Sequence, residues 1–265
     1  MDLKLSGKRA LITGGSRGIG AAVADVLAAE GTVLALFARG DEQLSARAAQ
    51  LRERGAQVLT RVVDTADASA VQAAVDEVST ELGGIDILVN AAATPAGPAM
   101  TAPLAQLDED DLRREIETKV LGYLRTARAV APTMIDQGWG RIINISGLGA
   151  RQTGSVFGSI RNVAVSAMTK NLADELGPSG INVTVVHPAL TVTERTPALL
   201  AAVAKADGID IDQAAARLAT QVSIGRLVTA AEVADVVAFL ASPRSVAVNG
   251  DAVAVGGGAV GAIHY

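Results

Sequence analysis

The fold turns on the stretch Arg9-Ala10-Leu11-Ile12-Thr13-Gly14-Gly15-Ser16-Arg17-Gly18-Ile19-Gly20. A short β-prone run enters a glycine loop, and an Ala-rich helical pattern follows over 18–30. Glycines let the backbone turn tightly here. They also let it approach a pyrophosphate, whose charge then sits at the amino end of a helix. Gly14, Gly18 and Gly20 stand in the spacing G-x-x-x-G-x-G rather than G-x-G-x-x-G. A tight strand-to-helix turn uses such glycines without any ligand, so the motif acquires meaning from the βαβ unit around it.

That unit repeats along the chain. Residues 9–13, 33–38, 58–63, 85–90, 141–146, 181–187 and 252–255 read as buried strands. Helical patterns lie between them near 18–30, 41–54, 67–82, 108–137, 157–177 and 230–241. Alternation of this kind needs crossover connections, which predicts an α/β fold with a parallel sheet of about seven strands covered on both faces. No linker or composition shift divides the chain, so 1–265 reads as a single domain. Two segments break the rhythm. Residues 91–107 carry Pro95, Pro98 and Pro103 and cannot form one regular element. Residues 194–222 hold a helical stretch at 197–206 and a polar break at 207–212, and read either as a substrate lid or as a packed helical decoration or oligomer contact.

Composition narrows the chemistry. The 265 residues are 49% hydrophobic and 19% charged, as in a globular protein. There are 51 alanines but only 2 His, 2 Tyr, 1 Trp and 0 Cys. Lack of cysteine excludes disulfides, thiol nucleophiles and cysteine-held metals. A histidine metal site would need both His187 and His264, so none is expected. Net charge of −5 and a pI near 5.1 argue against nucleic acid and against a polybasic membrane anchor. The sequence shows no signal peptide or spanning stretch, and the expected location is the cytoplasm.

The glycine loop, extended over nearly the whole chain, resembles the short-chain dehydrogenase/reductase superfamily, whose small members carry a TGxxxGxG loop. Asp64 in Val63-Asp64-Thr65 matches the family's adenine-contacting aspartate. Asn90-Ala91-Ala92-Ala93 is similar to its NNAG run, and His187-Pro188-Ala189-Leu190-Thr191-Val192-Thr193 to its PGxxxT segment. The resemblance implies a Rossmann-like doubly wound sheet. It also implies a dinucleotide held by Gly14, Ser16, Arg17, Gly18, Ile19, Gly20, Arg39, Asp64, Thr65, Asn90, Ala91, Ala92, Pro188, Ala189, Thr191 and Thr193. Charge selects among dinucleotides. An acid at the end of the second strand would bind the ribose diol of NAD, but that end reads Phe37-Ala38-Arg39. Arg39 and Arg17 can clamp a 2′-phosphate, so NADP(H) is favoured over NAD(H). By the same resemblance the long helices 108–137 and 157–177 pair between subunits, as a homodimer or homotetramer.

The catalytic pattern departs from the family. Its carbonyl reducers use Ser, Tyr and Lys with an Asn behind them; the phenol gives a proton to the carbonyl oxygen as hydride arrives at carbon. Thr169-Lys170-Asn171-Leu172-Ala173-Asp174-Glu175-Leu176-Gly177 matches the second half of the family helix. Counting back puts Gly158 at the tyrosine and Asn162 at the lysine; pairing Phe157 and Arg161 instead requires a one-residue slip. Gly147 stands at the serine, with Ser146 one before it, and Lys119 at the asparagine. Lysine and asparagine are thus exchanged between facing helices. Lys119, Ser146 and Asn162 are the candidate catalytic residues. Lys119 could stabilise charge or, if desolvated, supply a proton; otherwise it is a surface or interface lysine. Tyr123 reads as core, His187 as packing at a strand end, and His264 and Tyr265 as a tail. Three functions remain: an oxidoreductase with an atypical site acting on a small carbonyl or alcohol, a non-redox enzyme on this scaffold, and an NADP(H)-binding regulatory protein.

Overall fold

The computed structural model describes residues 1–93 and 103–260. Pro95, Pro98, His264 and Tyr265 lie outside the described residues. The order is β1 (Arg9–Thr13), α1 (Gly18–Ala29), β2 (Val33–Ala38), α2 (Asp41–Glu53), β3 (Val58–Val62), α3 (Ala68–Leu82) and β4 (Ile87–Asn90). Then come α4 (Glu109–Glu115), a π-helical stretch (Ile116–Leu121), α5 (Gly122–Gln137), β5 (Gly140–Ile145), α6 (Val156–Leu176) and β6 (Ile181–Pro188). The chain continues with β7 (Thr191–Val192), α7 (Thr196–Asp207), α8 (Ile211–Ala219), β8 (Val228–Thr229), α9 (Ala230–Ala241) and β9 (Ala252–Val255).

Seven parallel strands form one sheet in the order β3-β2-β1-β4-β5-β6-β9, as the alternation predicts. Successive strand residues point to opposite faces. Leu11, Ala35, Leu88, Ile142 and Val183 therefore pack against α3, α5 and α6. Ile12, Leu34, Leu36, Val89, Ile143 and Val186 pack against α1, α2 and α9. Both faces are dry, which is why the strands read as continuous apolar runs. Each of the buried Leu, Ile and Val side chains among these contributes about 1.5–3 kcal/mol.

Several boundaries move. The strand expected at 85–90 begins at Ile87, just after Asp86. Its carboxylate accepts from the Arg9 backbone N–H at 2.9 Å and pairs with Arg9 Nε at 2.7 Å. The strand expected at 58–63 stops at Val62. That expected at 141–146 runs from Gly140 to Ile145, and that expected at 181–187 includes Pro188. The helix expected over 108–137 is one rod in three parts, its middle wound with i→i+5 bonds. Within 194–222 the polar break proves shorter than expected, and a second helix follows it. Asp210 accepts from the Gln213 backbone while Gln213 bonds back, a capping box built from the polar residues that read as a break.

The order of strands reverses between β1 and β4. Chain leaving the two strands diverges there, and a crevice opens at their carboxyl ends.

Candidate active site

A cavity of about 660 Å³ fills that crevice, large enough for an organic ligand. The glycine loop makes its floor. Gly14 has φ +69, and a Cβ there would lie 2.9 Å from the Ala91 carbonyl carbon. A Cβ on Gly20 would run into the Gly14 carbonyl oxygen, so α1 seats on the loop only without a side chain. Thr13 Oγ1 accepts from the N–H groups of Ala91 and Ala92 at 3.2 Å each, which ties the turn after β4 to the turn after β1.

One end of the cavity is built for an anion. Arg17 precedes α1 without capping it, and the helix N-terminus is met instead by Glu194, 176 positions away: the Gly18 N–H donates to Glu194 Oε2 at 3.2 Å. Arg17, Arg39 and Arg195 line the cavity, as do the acids Asp41, Glu42 and Glu194. Burial, and then the charge of Arg17, push the Arg195 guanidinium below its ordinary value, against the pull of Glu194. The charges of Arg17 and Arg195, felt by one another, and a carboxylate already on the helix end fit a pyrophosphate, and Arg39 adds a cation to the lining. The residues present therefore suit a dinucleotide, and the Glu194 carboxylate stands in for its anion.

The other end is a buried polar cluster. Lys119 lies in the π-helical stretch, is 3% exposed and lines the cavity. It is neither a surface nor an interface lysine. Its Nζ donates to the Ser146 carbonyl at 2.9 Å and to Asn162 Oδ1 at 3.0 Å. Burial first, then the neighbouring Arg161 charge, hold its pKa down to about 7, with Glu115 opposing. Ser146 Oγ lies 3.1 Å from the Asn162 carbonyl and 3.3 Å from Asn162 Oδ1, donating to this pair of acceptors. A Cβ on Gly147 would come within 3.1 Å of Asn162 Nδ2, so the amide crowds this position. His187 braces the other side: Nδ1 accepts from the Gly147 N–H at 3.3 Å, and Nε2 faces Ser166 Oγ at 3.3 Å.

The structure brings Gly14, Ser16, Arg17, Gly18, Ile19, Gly20, Arg39, Thr65, Ala91, Ala92, Thr193, Lys119 and Ser146 to the cavity wall. Among the described residues that wall does not include Asp64, Asn90, Pro188, Ala189, Thr191 or Asn162. Asn162 stands behind Lys119 and orients it. Asp64 Oδ1 accepts from the Ala66 N–H. Asn90 is fully buried, donating to Asn144 Oδ1 at 3.0 Å and accepting from Thr126 Oγ1 at 2.7 Å. That side chain ties β4 to β5 and α5. Tyr123 is core, as its spacing predicts, with its phenol donating to the Ile145 carbonyl at 3.0 Å; burial raises its pKa. Arg161 entered the sequence reading only as the alternative to Asn162 at the lysine position, whereas Glu115, Glu194 and Arg195 were given no role of their own. For Glu115 the available signal was its place four residues before Lys119, since that spacing shares a helix face.

A doubly wound parallel sheet with a glycine-rich first turn and a cavity at its switch point defines a dinucleotide-binding protein of oxidoreductase type. The chain belongs to the short chain dehydrogenase family, whose model matches residues 8–203. It is 35% identical over 250 residues to the short-chain reductase protein NovJ of Streptomyces niveus, covering 94% of this chain and 92% of that one. It resembles L-sorbose reductase of Gluconobacter frateurii, solved with NADPH and L-sorbose, at 31% identity and TM-score 0.91, covering 99% and 100% of the two chains. NAD+-bound xylitol dehydrogenase is similar at 28% identity and TM-score 0.87, covering 96% and 100%. Neighbours of this fold thus include both NADPH and NAD+ complexes. No helix among the described residues is long and apolar enough to cross a membrane.

Proposed function

We propose that the chain is an NADP(H)-dependent oxidoreductase for a small carbonyl compound or its alcohol, with Lys119 as proton donor where the family's phenol is replaced by glycine. The observation that carries this reading is the buried Lys119 Nζ, held by Ser146 and Asn162 in the cavity with a pKa near 7. Arg17 and Arg39 support the choice of NADP(H).

A bound nicotinamide supplies hydride chemistry; the chain's own residues handle binding and the proton. An alkylammonium has three N–H groups. Two are taken by the Ser146 carbonyl and Asn162 Oδ1, and the third is left for a carbonyl oxygen in the cavity. With a pKa near neutrality, Lys119 both gives and regains a proton at working pH, and such transfer contributes about 10²–10⁴-fold. Asn162 and Ser146 hold the nitrogen in place. Residues 194–222 act as a lid whose first residue, Glu194, leaves the α1 N-terminus when a pyrophosphate arrives. Val156, Ile160 and Val163 form an exposed apolar stripe on α6, which supports pairing of two copies through this helix.

The test is a thermal-shift series with NADPH and NADH, followed by a panel of ketones and alcohols monitored at the nicotinamide absorbance. NADPH-selective stabilisation with turnover supports the reading. Binding without turnover on a broad panel would favour the regulatory or non-redox protein, and absence of binding would remove the dinucleotide altogether.

A further inference from the structure

Two buried ties join the rod of α4 and the π-helical stretch to α6, and the proton transfer uses only one of them. Lys119 reaches Asn162 Oδ1 at 3.0 Å. Four positions earlier on the rod and one position earlier on α6, Glu115 is paired with Arg161. Glu115, Arg161 and Lys119 are 6%, 8% and 3% exposed, so three charged side chains sit together out of water. Among the described residues the Arg161 guanidinium bonds to Glu115, and its buried Nε has no partner. Burying an ion pair costs solvation that the attraction repays only in good geometry, and a hydrophobic pair of similar volume would often join two helices as well or better.

We infer that the Glu115–Arg161 pair governs the protonation of Lys119: both are positioning residues that act through the lysine, Arg161 as a fixed cation opposing its charge and Glu115 as the anion that limits this repulsion. A guanidinium does not shed its proton in a protein, whereas an ammonium does. In a low-dielectric cluster the lysine therefore gives way to the arginine, and a nearby carboxylate favours its charged form. Both influences reach Lys119. Burial acts most strongly, then Arg161, and Glu115 opposes them. The other charged and titratable groups nearby are engaged in their own contacts. Glu117 pairs with Arg125, and the Tyr123 phenol donates to the Ile145 carbonyl. His187 Nδ1 accepts from the Gly147 N–H, and Nε2 faces Ser166 Oγ.

This inference deepens the proposed role of Lys119 as proton donor, and direct titration separates the two. The chain has five lysines, so the Lys119 side-chain nitrogen is followed by NMR in the full-length protein labelled with 15N-lysine, its signal assigned by its loss in Lys119→Met. Glu115→Gln leaves Arg161 uncompensated and is expected to lower the Lys119 titration midpoint by about 1–3 pH units, the effect of one neighbouring charge. Arg161→Gln removes the opposing cation and is expected to raise it. Adding Glu115→Gln to Arg161→Gln is expected to lower it again, in a comparison that strands no buried guanidinium. A purely structural tie would move the two single variants the same way or not at all, and either result overturns the inference. So does a double variant that titrates no lower than Arg161→Gln. The pH midpoint of carbonyl reduction, measured in parallel, is expected to follow the lysine in each variant. Opposite movements of the lysine without turnover, or with a rate profile that stays in place, would leave the pair's control of Lys119 standing and overturn Lys119 as the proton donor.

Discussion

Lys119 Nζ donates to Asn162 Oδ1 across 3.0 Å, so the ammonium of one helix and the amide of the facing helix form one buried unit. By the count along the two helices, these residue types stand exchanged relative to the family pattern. In the proposed reaction the proton-bearing nitrogen is then the one on the π-helical stretch.

If Lys119 is the acid, Lys119→Met lowers kcat for carbonyl reduction by about 10²–10⁴-fold while NADPH affinity changes little. Steady-state kinetics and cofactor calorimetry separate the two effects. For the wild type, the reductive rate falls as pH rises through about 7 and the protonated lysine is lost. The oxidative rate rises through the same pH. Unchanged turnover in the variant would remove Lys119 from the chemistry.

The same residue makes stability depend on pH. Its pKa is about 7 folded against an ordinary 10.5, so between these values the unfolded chain binds more protons. Stability then rises with pH across the window. The penalty is fully present below 7 and is gone above 10.5. Denaturant unfolding of the wild type and Lys119→Met should show the variant's relative advantage at pH 6 shrinking by pH 9.5. A gap independent of pH would mean that the lysine is not desolvated.

Arg39 sits at the end of β2, where an acid would select NAD. Arg39→Asp is expected to weaken NADPH by roughly 10- to 100-fold, the worth of one charge-assisted contact, and to spare or improve NADH. Calorimetry with both cofactors reads the switch, and equal losses for the two would count against a 2′-phosphate contact.

Glu194 occupies the α1 N-terminus through the Gly18 N–H. Glu194→Gln removes a competing negative charge and should tighten NADPH by roughly 2- to 5-fold, as expected for one charge at a helix end. Weaker binding by the variant would show that the glutamate assists the cofactor rather than giving way to it.

Val156, Ile160 and Val163 are 53%, 44% and 49% exposed at i, i+4 and i+7 on α6. Ile160→Glu/Val163→Glu should turn a dimer or tetramer into a monomer in sedimentation without loss of helical circular dichroism. A wild-type protein that is monomeric at micromolar concentration would show that the stripe has another use.

Local chemistry alone made the sheet, its parallel strands and the place of the crevice legible in the sequence. Apolar runs of strand length alternate with helical patterns, and Gly14 and Gly20 stand where backbone meets backbone. Lys119 and Asn162 could be located too, because both are counted from motifs on their own helices. What those residues touch follows only from the packed molecule. Lys119 donates to a carbonyl 27 positions away, Arg161 pairs with Glu115 across 46, and Glu194 reaches Gly18 across 176. Contacts of that separation leave no periodic trace, since they arise only when burial brings distant helices and loops together. Desolvation, which sets the Lys119 proton affinity and leaves Arg161 Nε without a partner among the described residues, is likewise a property of the packed cavity and of no single segment.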